Sequence, residues 1–230
     1  MRRRTLLATS LAAAAATPTR AAPTPVDLLL VLAIDVSRSI SESDAALQRD
    51  GYRAAMTNPQ ILAAIQGGPI GAIAVAYVEW AAYDRQELLI PWTRIATQSE
   101  AKTWGDTLAT KPWSSITWTS LSGALRFSGQ TLAAAPFEGT RRVIDVSGDG
   151  VNNNGPRAEH ERDRLVADGI VINGLPIINE HPRYGRASGP GLVPYYTEAV
   201  VGGPGHFVIV AKDFSTFADA VRRKLIQEIS

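Results

Sequence analysis

Val26-Asp27-Leu28-Leu29-Leu30-Val31-Leu32-Ala33-Ile34-Asp35-Val36-Ser37-Arg38-Ser39 carries a nearly unbroken apolar run straight into one carboxylate and two alternate hydroxyls. Continuous rather than alternating hydrophobicity is what a strand needs when both of its faces are covered, as in a parallel sheet. Asp35, Ser37 and Ser39 therefore fall on the loop leaving the carboxyl end of a buried strand. Oxygen ligands with a single negative charge suit a hard divalent cation such as Mg²⁺. The same three residues could also form an ordinary helix cap, because Asp and Ser favour that position.

Outward from this stretch, apolar runs alternate with helix-period segments. Ser41-Glu42-Ser43-Asp44 predicts a capped helix reaching about Met56, and Gly67-Gly68-Pro69 breaks the chain before a strand over Ala72–Trp80. Five residues, 81–85, are too few for a crossover helix, so Glu87–Trp92 should return antiparallel. Helices are expected at 98–109 and 120–133, a strand at Arg142–Val146, and a polar helix at Glu159–Ala167. A strand at Ile170–Ile178 follows, then a loop rich in Gly and Pro at His181–Pro194, and a short helix at Tyr195–Val200. A last strand at Phe207–Val210 and an amphipathic helix at Phe214–Ile229 close the chain. This alternation predicts a doubly wound, Rossmann-like α/β fold with helices on both faces. The expected sheet has six strands in the order 3-2-1-4-5-6, with strand 3 antiparallel. Ligands in such sheets bind beyond the carboxyl ends of the strands where the order reverses, between the strands ending at Ile34 and near Ser147.

The 230 residues are 45% hydrophobic and 20% charged, ordinary globular values. There is no cysteine, and His160, His181 and His206 form no zinc-type pair. Residues 1–22 read as an export signal. Arg2-Arg3-Arg4 leads into an Ala-rich apolar stretch, and Arg3-Arg4-Thr5-Leu6-Leu7 resembles a twin-arginine motif with Leu in place of Phe. Losing Arg2, Arg3, Arg4 and Arg20 with no acid takes the formal charge from +1 to −3. A mildly acidic chain without a basic cluster is a poor nucleic-acid binder. No other segment has the ~18 consecutive apolar residues of a membrane span. The expected location is exported, periplasmic or extracellular.

Two segments can complete the site at the switch point. Val143-Ile144-Asp145-Val146-Ser147-Gly148-Asp149-Gly150 is a strand ending in a turn that carries Asp149. Thr117-Trp118-Thr119-Ser120-Leu121-Ser122-Gly123-Ala124-Leu125 is a loop running into a helix, with Thr119 favoured over Thr117 by its spacing to Leu125. Asp27 and Asp145 read as structural, Glu79-Trp80 as packing, and Tyr195-Tyr196 as core rather than a binding surface. Asn152-Asn153-Asn154 fits a cleft rim and a polar turn equally well.

Taken in order, Asp35-Val36-Ser37-Arg38-Ser39, Thr119 with its Ser-Gly-Ala-Leu continuation, and Asp149-Gly150 resemble the metal-ion-dependent adhesion site of von Willebrand factor type A (VWA) domains. The nearest likeness is to an exported, functionally uncharacterised bacterial branch, through Ser147–Gly155, Tyr195-Tyr196, Gly202-Gly203-Pro204-Gly205 and the closing helix. It extends over about residues 25–230, expected to form one domain. The resemblance implies that Asp35, Ser37, Ser39, Thr119 and Asp149 hold Mg²⁺, with Mn²⁺ or Ca²⁺ as alternatives. It further implies that an open coordination position accepts a Glu or Asp carboxylate from a protein partner. One departure is Leu121, where many members carry a second Thr. The rival readings are a metal-dependent phosphohydrolase and a domain whose metal is purely structural. Against the enzyme, Ser37 stands where a haloacid-dehalogenase-type site needs a second acid, and no histidine lies near to act as base.

Overall fold

The computed structural model describes residues 22–180, 182 and 188–230. The expected export signal lies outside the described residues except for Ala22, and the expected loop at 181–194 lies outside them at 181 and 183–187.

The elements follow in the order β1 (Thr24–Asp35), α1 (Glu42–Met56), α2 (Pro59–Gln66), β2 (Ile73–Trp80), β3 (Gln86–Ile95), α3 (Gln98–Ala109) and α4 (Leu121–Ala133). β4 (Phe137–Gly148), α5 (Ala158–Ala167), β5 (Val171–Pro176), α6 (Leu192–Tyr195), a π-helical turn at Tyr196–Val200 and α7 (Phe217–Ile229) complete them. The five strands pair as β3-β2-β1-β4-β5, all parallel except β3, which runs antiparallel beside β2. β1 is central, and its side chains divide between two cores. Leu28, Leu30, Leu32 and Ile34 pack under α1, α2, α3 and α7, while Leu29, Val31 and Ala33 pack under α4, α5 and the π turn. A strand covered on both faces reads in sequence as an unbroken apolar run, which is why β1 was legible.

The expected sixth strand is a correction. Residues 207–211 do run beside β5, with the Gly174 N–H donating to Phe207 and the N–H groups of Ile209 and Ala211 donating to Gly174 and Pro176, but the pairing amounts to isolated bridges, Gly174 to Val208 and Ile177 to Ala211, and not a strand. Gly202 occupies the first part of that edge by exchanging two hydrogen bonds with Ile172, at 2.9 and 3.1 Å. The Phe207 N–H donates to the Asn173 side chain instead of to backbone. β5 ends in Pro176, which has no N–H to donate, so the ladder with 207–211 is interrupted at that position. A second difference is α2, which fills the interval before Gly67. Asn58 caps it by accepting from the Gln60 N–H, Pro59 starts it, and Ile61 and Ile65 bury its inner face.

Other expected structural roles are borne out. The Asp27 carboxylate accepts from the backbone N–H groups of Ile70, Gly71 and Ala72, fixing the turn before β2. Glu79 forms a buried ion pair with Arg49 at 2.6 Å. Arg49 also donates to the carbonyls of Lys111 and Pro112, and so anchors the chain that leads into the 116–119 loop. Among the described residues no helix is long and apolar enough to cross a membrane.

Candidate metal-binding cleft

Parallel pairing of β1 with β4 sets Ile34 beside Ser147, so Asp35 and Asp149 leave adjacent strands at the same end of the sheet. Asp35 is fully buried, and its Oδ1 accepts the Ser37 N–H at 2.7 Å, which turns the chain sharply. That turn brings the Ser37 and Ser39 hydroxyls to 3.1 Å from each other. The Ser39 hydroxyl donates to Asp149 Oδ1 at 2.7 Å. Immediately beyond, Ser41 and Asp44 form a capping box that starts α1 and fixes where this loop ends.

The other Asp35 oxygen, Oδ2, is buried with no hydrogen-bond partner among the described residues. It crowds Gly148, where a Cβ would come within 2.8 Å of Asp35 Oδ2 and 2.9 Å of the Tyr196 hydroxyl. The Tyr196 hydroxyl is also buried and unpartnered. Burial first, and then the charge of Asp149, raise the Asp35 carboxyl well above its usual range. Asp149 is raised too by burial, opposed by the hydrogen bonds from Ser39 and Asn179. Burial likewise raises Tyr196, followed by the charges of Asp35 and Asp149. Two buried acids facing one another, neither forming an ion pair with a Lys or Arg among the described residues, is an unfavourable arrangement that a cation would relieve.

Thr119 reaches the same cleft from the opposite side. Its N–H donates to the Asn153 side chain at 2.8 Å and its carbonyl accepts the Asn153 N–H at 2.9 Å. The neighbouring asparagines act in parallel: Asn152 Oδ1 accepts from the Ser122 N–H, and Asn154 Oδ1 accepts from the Tyr83 N–H. The three consecutive asparagines thus tie the loop after Asp149 to the Thr119 loop, to the start of α4 and to the turn between β2 and β3. Of the two sequence alternatives for them, both hold, since Asn153 also lines the cleft. Leu121 is buried in the core, and the N-cap role at α4 falls to Ser120, which accepts from the Gly123 N–H.

Ser37, Ser39, Thr119 and Asp149 line one open cleft of about 760 Å³, with Asp35 buried beneath them. Thr117 lines it too but is exposed, whereas Thr119 is buried. Among the described residues no three or more of His, Cys, Asp and Glu converge as a metal-ligand group, so hydroxyls must complete any cation shell here. The donor set nonetheless fits a hard cation: two carboxylates, three neutral hydroxyls, and one buried carboxylate oxygen without a hydrogen-bond partner among the described residues.

Several contributors escaped the sequence reading. Asn179, following β5, donates to Asp149 Oδ2 at 2.8 Å, and the Ser188 hydroxyl donates to the Asp149 carbonyl at 2.6 Å. No local pattern marks either, because both act across the sheet from a loop. Tyr195-Tyr196 divides: Tyr196 is core, as expected, but half-buried Tyr195 lines the cleft. Trp118 is 55% exposed at the rim and holds φ +80°, the only non-glycine positive φ among the described residues. For a residue with a Cβ, that conformation costs about 1–2 kcal/mol.

A mostly parallel β-sheet sandwiched by helices, with an Asp-x-Ser-x-Ser loop, a threonine loop and a second aspartate gathered at one end, defines a VWA-like fold. The chain belongs to the family described as "Protein of unknown function (DUF1194)", whose model matches residues 25–230. No curated protein matches it in sequence. Solved structures share the fold. Mussel byssus proximal thread matrix protein 1, in a form described as having a zinc-occupied MIDAS motif, is 16% identical, with a TM-score of 0.60 over 89% of this chain and 46% of that one. The von Willebrand factor type A structure from Catenulispora acidiphila is 13% identical, with a TM-score of 0.61 over 89% of this chain and 43% of that one. BatB from Bacteroides thetaiotaomicron is 16% identical, with a TM-score of 0.55 over 87% of this chain and 99% of that one. The chain thus spans about half the length of the mussel protein.

Proposed function

We propose that the protein is an exported binding module, of one domain over residues 25–230, that docks a Glu or Asp carboxylate of a protein partner through a divalent cation. Asp35, Ser37, Ser39, Thr119 and Asp149 would hold the ion, with Mg²⁺ as the first choice and Mn²⁺ or Ca²⁺ as alternatives. The observation that carries this reading is the unpartnered, buried Asp35 Oδ2 at the floor of an open cleft, linked through Ser37 and Ser39 to Asp149. A zinc-occupied MIDAS motif in a protein of the same fold supports it.

The bound cation would supply a Lewis-acidic position at which a partner carboxylate replaces water. The chain's own part is to set the ligand geometry. Ser37 N–H holds Asp35 in its rotamer, while Ser39 and Asn179 hold the two oxygens of Asp149. Mg²⁺ takes about six oxygens at roughly 2.0–2.1 Å and keeps waters readily, so few protein charges leave room for an acidic ligand. Two acids neutralise the ion without repelling that ligand. Binding rather than turnover is favoured because the described cleft residues include no histidine or lysine to act as acid or base.

The test is binding of acetate and of glutamate peptides with Mg²⁺, with EDTA, and in Asp35→Ala. Affinity present only with Mg²⁺ and the native aspartate is expected. Equal binding under all three conditions would contradict it, and steady hydrolysis of a phosphate ester lost in Asp35→Asn would replace it with the enzyme reading.

A further inference from the structure

Three of the six exposed large hydrophobic residues among those described, Ile116, Trp118 and Val151, lie in the two loops that flank the cleft. Trp118 and Val151 line the cleft itself, at 55% and 45% exposure, and half-buried Tyr195 adds a second aromatic surface. Of the described lining residues only Arg38 and Asp149 carry charge. An occupant of this cleft therefore meets Arg38 on one loop and apolar surface on the next.

The backbone at Trp118 strengthens the point. A tryptophan at φ +80° is held where glycine would sit without strain, so this side chain is maintained against the preference of its own backbone. Its surroundings enforce the conformation. The residue after it is tied to Asn153 through two backbone-directed hydrogen bonds, and the Ser120 N–H donates to the Ala81 carbonyl at 2.7 Å. Strain of this kind is retained where the surrounding structure over-determines it, and it clusters at ligand clamps.

We propose that Trp118 is a specificity-determining residue, and that the occupant is a peptide segment whose docking acid has a large apolar residue next to it. The proposal rests on the carboxylate-docking reading above and adds the neighbour of the acid. The carboxylate is directed toward the Asp35–Asp149 end of the cleft, while the adjacent side chain covers Trp118 and Val151. A peptide is favoured over an acidic sugar because the exposed wall includes aliphatic Val151, which offers nothing to ring hydroxyls.

The experiment uses the full chain in saturating Mg²⁺ with three capped probes, Gly-Glu-Gly, Gly-Glu-Phe and Phe-Glu-Gly, read by ligand-observed NMR titration. One phenylalanine probe should bind about tenfold more tightly than the glycine probe, the scale expected for burying an aromatic ring. W118G should bring the phenylalanine probes to the same affinity as Gly-Glu-Gly, and melt at the same or a higher temperature because glycine accepts the positive φ. W118F should retain most of the advantage. Trp118 is the exposed tryptophan, so acrylamide quenching of its emission should fall when the phenylalanine probe is bound. Mg²⁺-dependent binding of all three probes with equal affinity overturns the role of Trp118 and leaves carboxylate docking standing. Absence of Mg²⁺-dependent binding to any probe overturns carboxylate docking itself. Tighter, Trp118-dependent binding of trigalacturonate than of any peptide overturns the peptide assignment.

Discussion

β4 carries two aspartates four positions apart, Asp145 within the strand and Asp149 just beyond its end, and the protein treats them in opposite ways. Asp145 is buried under α7, where Lys224, itself 0% exposed, reaches it at 2.7 Å and Glu228 at 2.6 Å. Asn173 donates to Glu228 at 3.1 Å and takes the Phe207 N–H. Asp149 also faces a second acid, Asp35, but its side-chain partners are Ser39 and Asn179, and among the described residues no Lys or Arg forms an ion pair with it. One acid pair contains its own cation; the other is arranged around space that opens to solvent. Burying a charge is tolerable only when a counter-charge and hydrogen bonds accompany it. The comparison therefore separates a pair that ties α7 to β4 through its own lysine from a pair that lies beneath an open cleft.

The largest effect should come from breaking the first pair. Lys224→Met leaves two acids buried together and should destabilise the fold by about 3–5 kcal/mol, read as a lowered urea midpoint. Asn179→Ala strikes the second region. It strips the partner from Asp149 Oδ2 and should lower stability by about 1–3 kcal/mol, while cutting Mg²⁺ affinity by roughly 10- to 100-fold. Equal Mg²⁺ affinity in this variant and the native chain would remove Asn179 from the site.

A pH series sharpens the contrast. Burial first, and then the charge of Glu228, raise Asp145 to about 7, with Lys224 opposing. A carboxyl raised in the folded state binds its proton there more tightly than in the unfolded chain. Its contribution to stability is thus complete below about pH 4 and declines as pH rises to about 7. Asp145→Asn should flatten that decline in Mg²⁺-saturated protein, because one ammonium then faces one carboxylate. An unaltered slope would show that Asp145 is not the titrating group. The smallest effect is expected from Asp35→Asn without metal, which removes charge repulsion at the cleft and should leave the melting temperature unchanged or slightly higher.

The contrast also explains what could be read in advance. Asp35, Ser37 and Ser39 lie within five residues at a strand end, and the continuous hydrophobicity of β1 announces both the sheet and its switch point. Thr119 and Asp149 were legible from their order and from a strand or helix beside each. Asn179, Ser188 and Lys224 were not, because the aspartates they serve, Asp149 and Asp145, lie 30 or more positions away and their own neighbourhoods look ordinary. The lysine of α7 reads in sequence as one polar residue of an amphipathic helix. The sixth strand failed for a related reason: four suitable β residues at 207–210 do not disclose that Gly202 already occupies part of the edge they would need.

The central claim is that the Asp35–Asp149 pair awaits a cation from outside the chain, as the Asp145–Glu228 pair does not. Calorimetric titration of Mg²⁺ into the native protein and into Asp35→Asn tests it most directly. One saturable site per chain in the native protein, with a raised melting temperature, and no such site in Asp35→Asn is the expected result. A native protein that takes up no Mg²⁺, Mn²⁺ or Ca²⁺ and gains no stability from them would contradict it.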